Sequence, residues 1–118
     1  MTGAEIVALP GWKWRRGLLL PDGRIVQAVQ DGVAWAEVYT TDSTVLLPAP
    51  HAVPAPADEL LPGWLLHLLR ERTGSTTHVH WDGIGEWDAW APDARGWRII
   101  GSGPTELSAL IDAHRRLR

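Results

Sequence analysis

The residue pattern with the clearest potential for chemistry is His78-Val79-His80-Trp81-Asp82. In a strand, the side chains of His78, His80 and Asp82 point to one face, because successive side chains alternate. Two imidazoles and a carboxylate can bind zinc or iron. The same alternation is typical of a strand with a solvated polar face opposite a buried face of Val79 and Trp81. We favour this second interpretation and expect no metal, no other cofactor and no catalytic residue. A metal-dependent enzyme that uses the three polar residues is kept as an alternative.

A second pattern, Trp12-Lys13-Trp14-Arg15-Arg16, mixes aromatic and cationic side chains. Such a strip can stack on bases and contact phosphates, or it can lie at a membrane interface. It also fits a half-buried strand with the tryptophans directed inward. Tryptophan and arginine are favoured at the centres of protein interfaces. We therefore predict that a partner protein is bound by the following residues: Trp12, Trp14, Arg15, Arg16 and Trp35.

Composition restricts the classes of function. The chain has no cysteine, which excludes disulfides, thiolate zinc sites and cysteine nucleophiles. Its net charge of −3 argues against general nucleic-acid binding. No apolar run reaches the 18 residues or so that a membrane-spanning helix needs, and the segment 1–9 lacks the basic residue that begins a signal peptide. We therefore expect a cytoplasmic protein that does not bind a membrane.

Aromatic usage is unusual, since the chain has eight tryptophans and no phenylalanine. Tryptophan has a GC-rich codon and phenylalanine has AT-rich ones, so we attribute the bias to a GC-rich gene. Selection for aromatic binding surfaces is the alternative explanation.

The first half of the chain predicts an antiparallel meander. Turn residues recur about every ten positions, and Asp31-Gly32 is a strong hairpin signal. The predicted strands are Gly17–Leu20, Arg24–Val29, Val33–Tyr39 and Thr44–Leu47. Both faces of the strand Val33–Tyr39 are largely apolar, so we expect one of them to be covered by a helix or by a partner. This surplus of apolar strand surface is the reason to predict a homodimer.

The second half predicts a helix, three strands and a closing helix. Residues 48–56 hold four prolines and read as a stiff extended connector. Asp58 is the predicted N-cap of a helix that ends at Arg72 or Thr73, with Gly74 as its stop. The strands Thr77–Asp82, Glu86–Ala91 and Gly96–Ile100 precede a last helix, predicted from Pro104 to Leu117. The residues expected on the inner faces of the two helices are Trp64, Leu68, Leu110 and Ile111.

These elements define an α+β fold with an antiparallel meander, a helix, a second three-stranded antiparallel meander and a C-terminal helix. We predict a single domain over residues 1–118. Within it, a β meander over 1–47 and a helix–three-strand–helix unit over 57–118 are joined by the proline-rich connector 48–56.

Three features of the sequence belong together: the segment 9–14, the helix end Leu65–Glu71 and a late motif of Gly103, Thr105-Glu106 and Ala109-Leu110. On these features the chain resembles small uncharacterised phage and prophage proteins of high-GC bacteria. The resemblance implies a phage or prophage setting and no particular activity.

The last 40 residues or so consist of three predicted strands, a glycine and a helix with Thr105-Glu106. In this arrangement they are similar to the HicB antitoxin family and to the core of dsRNA-binding-like folds. The resemblance implies a β-β-β-α topology. The lysines that begin the last helix of a dsRNA-binding domain are replaced here by Thr105-Glu106-Leu107, so we do not expect nucleic acid to be the partner.

The function that these observations favour is a small non-enzymatic binding or regulatory protein. It would act through protein–protein contacts as a homodimer, as a phage accessory protein. The alternatives are an antitoxin-like nucleic-acid-binding protein and the metal-dependent enzyme described above.

Overall fold

The computed structural model describes residues 2–117. It confirms the α+β fold and the predicted order of meander, helix, meander and C-terminal helix. The helices are α1 (Gly3–Val7), α2 (Leu61–Thr73) and α3 (Glu106–Arg116). The strands are β1 (Val26–Gln30), β2 (Val33–Tyr39), β3 (Thr44–Pro48), β4 (His78–Trp81), β5 (Trp87–Asp93) and β6 (Gly96–Gly103).

The described residues form two compact units. The first comprises residues 2–7 and 12–61, and the second comprises residues 8–11 and 62–117. The first unit holds a sheet with the strand order β1-β2-β3, and the second holds a sheet with the order β4-β5-β6. The proline-rich segment 48–56 belongs to the first unit. As its composition predicts, it forms neither a helix nor a central strand, and Pro48 ends the edge strand β3.

The first sheet forms around the predicted Asp31-Gly32 turn. Both residues have positive φ angles, 51° and 77°, which is the backbone that a two-residue hairpin of this type requires. Every residue of β2 was predicted to lie in a strand, and Ala34 and Ala36 on one of its faces are completely buried. The opposite face carries Trp35 and Glu37, which are half-buried.

The predicted strand Gly17–Leu20 is wrong, since only a single bridge joins Leu19 to Ile25. The backbone of Leu19 bonds elsewhere. Its N–H donates to the carboxylate of Asp58 at 2.8 Å, and its carbonyl accepts from the N–H of Ala55 at 2.8 Å. Leu18 and Leu20 are nevertheless buried, and the backbone of Gly17, Leu18 and Leu20 bonds to residues 24–26 without forming a regular strand. The sequence did not predict the short helix α1.

Asp58 does not cap α2 as predicted, because the helix begins three residues later, at Leu61. One carboxylate oxygen of Asp58 accepts from the N–H of Leu60 at 3.0 Å while the other holds Leu19. Asp58 therefore fixes the turn before the helix. The predicted stop is confirmed, since Gly74 has a φ of +64° and its N–H donates to the Arg70 carbonyl.

In the second unit, α3 packs directly on one face of the β4-β5-β6 sheet. A Cβ atom at Gly101 would collide with the backbone of Ala113, and one at Gly103 would collide with the Ser108 side chain. The glycines therefore allow the helix to approach β6 closely. The helix begins one residue after its N-cap, Thr105, which forms a capping box with Ser108. The predicted start at Pro104 is therefore wrong by two residues.

A buried histidine joins α2 to α3. Nε2 of His114 lies 2.8 Å from the Leu65 carbonyl, and Nδ1 lies 3.0 Å from the Arg72 guanidinium. A carbonyl only accepts and a guanidinium only donates, so Nε2 carries the proton and the ring is neutral. Burial, with a smaller contribution from the positive charge of Arg72, lowers the pKa of His114 below its ordinary value of 6.5, although the Leu65 carbonyl opposes this shift.

The predicted inner faces of the helices are confirmed at Leu68, Leu110 and Ile111, which are all buried. They are wrong at Trp64, which is only half-buried and stacks on His67 with ring centroids 5.2 Å apart. The buried stripe of α2 follows positions i, i+4, i+7 and i+8, so Trp64 lies on its border. The residues of this stripe are Leu61, Leu65, Leu68 and Leu69. No helix among residues 2–117 is long and apolar enough to cross a membrane.

Candidate protein-binding surfaces

The face of the second sheet that points away from α3 carries an exposed aromatic cluster. In β4 and β5, His78 is paired with Trp90, and Trp90 is paired with Ile99 of β6. Because paired residues point to the same side of a sheet, these three side chains share one face. Gly101 lies beyond the register shift of β6 and points to the opposite face, toward α3. We call the cluster the aromatic face, and its residues are His78, His80, Trp90, Trp97 and Ile99.

The most accessible apolar residues of the aromatic face are Trp97, which is 50% exposed, and Ile99, which is 45% exposed. The Trp97 ring stacks on His78 with centroids 4.4 Å apart and planes 22° apart, and the His80 ring meets His78 edge-on at 4.6 Å. Stacking limits the orientations open to Trp97. An ordered aromatic side chain loses less conformational entropy when a partner binds.

The three residues of the candidate metal site do not assemble into a ligand set. The Asp82 carboxylate lies in a turn, where one of its oxygens accepts from the backbone N–H groups of Ile84 at 2.8 Å, Gly85 at 3.1 Å and Glu86 at 3.1 Å. These bonds, first that from Ile84, lower the pKa of Asp82 below its ordinary value. Across residues 2–117, no group of three or more histidine, aspartate or glutamate side chains is arranged to hold a metal ion.

The predicted buried face of β4 is also wrong at Trp81, which is 50% exposed. Trp81 is the last residue of β4 and is paired with Trp87 at the end of the sheet, where the two rings lie 5.9 Å apart. A tryptophan in this position packs on its neighbour and stays open to solvent on its other side.

The predicted partner-binding residues occupy two places in the first unit. Trp12 and Trp14 are half-buried and form an edge-to-face pair with centroids 5.4 Å apart, while Arg15 and Arg16 are exposed. Trp35 lies in β2 and is half-buried. Among the described residues, the ring contact of this pair does not extend to Trp35. The binding role of these residues stays a prediction.

Trp12 has one unusual feature. Its indole N–H is buried and has no hydrogen-bond partner among the described residues. A buried donor without an acceptor costs free energy, and the ring of Trp12 packs edge-on against Trp14.

Sequence reasoning did not find a groove in the first unit between Arg24 and the proline-rich segment. Two adjoining cavities of about 220 and 400 Å³ share Arg24, His51 and Ala52 as lining residues. The Arg24 guanidinium contacts the Asp22 carboxylate at 2.7 Å. The backbone N–H and side chain of Arg24 lower the pKa of Asp22. Apart from this ion pair and His51, the lining of the groove is mostly apolar.

The aromatic face was also missed as a surface, although its signal was present. The alternation of polar and apolar residues in Thr77–Asp82 placed His78 and His80 on one face. The bulge at Ile100, which sets Trp97 and Ile99 on that same face, has no clear signature in the sequence. Comparison of the chain with models of protein families, with curated proteins and with solved structures gave no match.

Proposed function

We propose that this chain is a small non-enzymatic binding protein that recognises a partner protein through the aromatic face of its second sheet. The observation that carries the proposal is the exposure of Trp97 and Ile99 beside a stacked histidine, on the sheet face that α3 leaves uncovered. Exposed apolar patches on monomeric proteins commonly mark interaction sites.

The chemistry of the aromatic face fits a protein partner. Tryptophan contributes more than most residues to binding energy at interfaces, and the imidazoles of His78 and His80 add hydrogen-bonding groups beside it. The overall charge of −3 disfavours a polyanionic partner such as DNA. The resemblance to phage and prophage proteins supports a partner in the cytoplasm of an infected or lysogenic cell, where the chain would act as an accessory protein.

The test is co-purification of partners from cells that express the chain, followed by affinity measurement with the purified partner. Trp97→Ala should weaken binding roughly 30-fold or more, because truncation of a central interface residue costs about 2 kcal/mol or more. Ile84→Ser is the matched control. Ile84 is also apolar and is 91% exposed, but it lies in the turn after β4.

A partner that binds the Trp97→Ala and wild-type chains equally would contradict this assignment. The double variant Arg15→Ala/Arg16→Ala separates the two candidate surfaces. Loss of binding in this variant alone would move the site to the Trp12–Arg16 strip.

A further inference from the structure

The edge of the first sheet is formed by a strand without the usual protection against pairing. All five residues of β3 are exposed, including Val45 at 40%, Leu46 at 40% and Leu47 at 45%. The strand carries no charged residue, and its only proline, Pro48, is its last residue. Natural edge strands are commonly protected by lysine, by an interior proline or by a covering segment.

The hydrogen bonds between β2 and β3 determine which backbone groups of β3 are left open. The Ala49 N–H donates to the Ala34 carbonyl, and the Thr40 N–H donates to the Ser43 carbonyl, both at 2.8 Å. In an antiparallel ladder hydrogen-bonded pairs alternate, so Val45 and Leu47 bond to β2. Thr44 and Leu46 therefore direct both backbone groups away from the sheet, and Pro48 directs its carbonyl the same way.

We propose that β3 is a dimerisation edge, at which a second copy of the chain adds its own β3 antiparallel, with Leu46 opposite Leu46. In this register the two Leu46 residues exchange both of their backbone hydrogen bonds. Each Thr44 N–H then meets the carbonyl of Pro48 in the other copy. The missing N–H of proline therefore costs only the bond to the Thr44 carbonyl.

Side-chain matching favours this register. On one face, Val45 of each copy meets Leu47 of the other, and on the opposite face Leu46 meets Leu46, so apolar surface is buried on both faces. A shift by two residues in one direction would set Leu47 opposite Ser43 and Pro48 opposite Asp42. A shift in the other direction would set Leu46 opposite Pro48, which has no N–H to donate to the Leu46 carbonyl. A second copy also fits because a strand without charge has no like-charge repulsion when it pairs with itself.

The dimer should be weak. Stable interfaces bury roughly 1,200–2,000 Å², and a five-residue strand pair alone supplies less than this. We expect a dissociation constant in the micromolar range, so that the mass rises with concentration from 13.0 kDa toward twice that value.

The first test is analytical ultracentrifugation of the full chain across this concentration range, with three variants. Leu46→Pro removes an outward N–H without removing a bond to β2, as Pro48 already shows for its own position, and it should abolish the dimer. Leu46→Val keeps the N–H and should retain the dimer. Trp97→Ala changes the aromatic face and should leave the dimer unchanged. A chain that dimerises through β3 but binds no partner through the aromatic face would therefore contradict only the proposed function.

The second test examines the register and does not depend on proline. Leu46→Glu should be monomeric, because its carboxylates would face each other across the two-fold axis and Glu37, the partner of Leu46 on β2, adds a like charge beside each of them. Leu46→Lys should weaken the dimer less, because each lysine is also paired with Glu37 of its own chain. An equal mixture of the two variants should form heterodimers, because the charges then attract. A wild-type chain that stays at 13.0 kDa at all concentrations, or a mixture that stays monomeric, would overturn the proposal.

Discussion

The two three-stranded sheets have the same antiparallel strand order, yet their faces and edges are covered differently. In the second sheet an eleven-residue helix, α3, lies on one face, and Gly101 and Gly103 allow its backbone to touch β6. Between residues 2 and 60, which the structure describes, the first unit has one helix, of five residues, and the buried alanines of β2 share the core with irregular segments. In the second sheet the packed helix buries part of the edge strand β6, whereas the irregular segments of the first unit leave all five residues of the edge strand β3 exposed.

The largest expected effect comes from removing core volume under α3. Leu110→Ala should lower the free energy of unfolding by roughly 2–5 kcal/mol, because Leu110 is completely buried. Leu46→Ala in the exposed strand β3 should change it by less than about 0.5 kcal/mol at concentrations where the chain is monomeric. Urea unfolding measures both values. Equal losses in the two variants would show that the first sheet is covered as completely as the second.

The next effect concerns the close approach of α3 to β6. Gly101→Ala should cost roughly 3 kcal/mol, because the added methyl group meets backbone atoms of Ala113 that cannot move without displacing the helix. Gly63→Ala is the matched control, since this exposed helical position has open space around it. It should stabilise the chain by about 0.5–1 kcal/mol. A neutral Gly101→Ala variant in thermal or urea unfolding would contradict the direct packing of helix on strand.

In the first unit, hydrogen bonds to the Asp58 carboxylate, and not a packed helix, hold an irregular segment in place. Asp58→Ala should cost roughly 1–2 kcal/mol, because it removes the acceptor for the Leu19 and Leu60 N–H groups. Hydrogen exchange should accelerate at these two amides, with smaller changes in α3. Unchanged exchange at the Leu19 amide would show that this bond does not hold the segment in place.

The smallest effect is a pH dependence that belongs to the second unit. The pKa of His114 is lowered in the folded state, so below its ordinary value of 6.5 the unfolded state binds more protons. Stability from this residue is therefore fully present above about pH 6.5 and is lost as the pH falls toward the folded-state pKa. His114→Gln should remove this slope in urea unfolding between pH 5 and 8. His51→Gln, at an exposed position, should keep it.

Local sequence signals were sufficient for most of the elements. The Asp31-Gly32 turn, the strand Val33–Tyr39 and the glycine stop at Gly74 follow from backbone preferences of a few adjacent residues, and all three are confirmed. The buried stripe of α3 follows from helical periodicity in the same way. The start of α2 was misplaced because Asp58 is a good N-cap by type but bonds to Leu19, which is 39 residues away in the chain.

The candidate site likewise has some features that the sequence determines and others that depend on the tertiary structure. Sequence alternation by itself put His78 and His80 on one face of a strand, and composition by itself excluded cysteine chemistry. Only the tertiary structure decided that Asp82 closes a turn and that Trp97 stacks on His78. It also decided that β3 lies at an edge of the sheet, where the backbone N–H and C=O groups of Thr44 and Leu46 point away from β2. The physical reason is that periodicity fixes the direction of a side chain relative to its own strand, whereas contacts between strands depend on register, bulges and distant backbone partners.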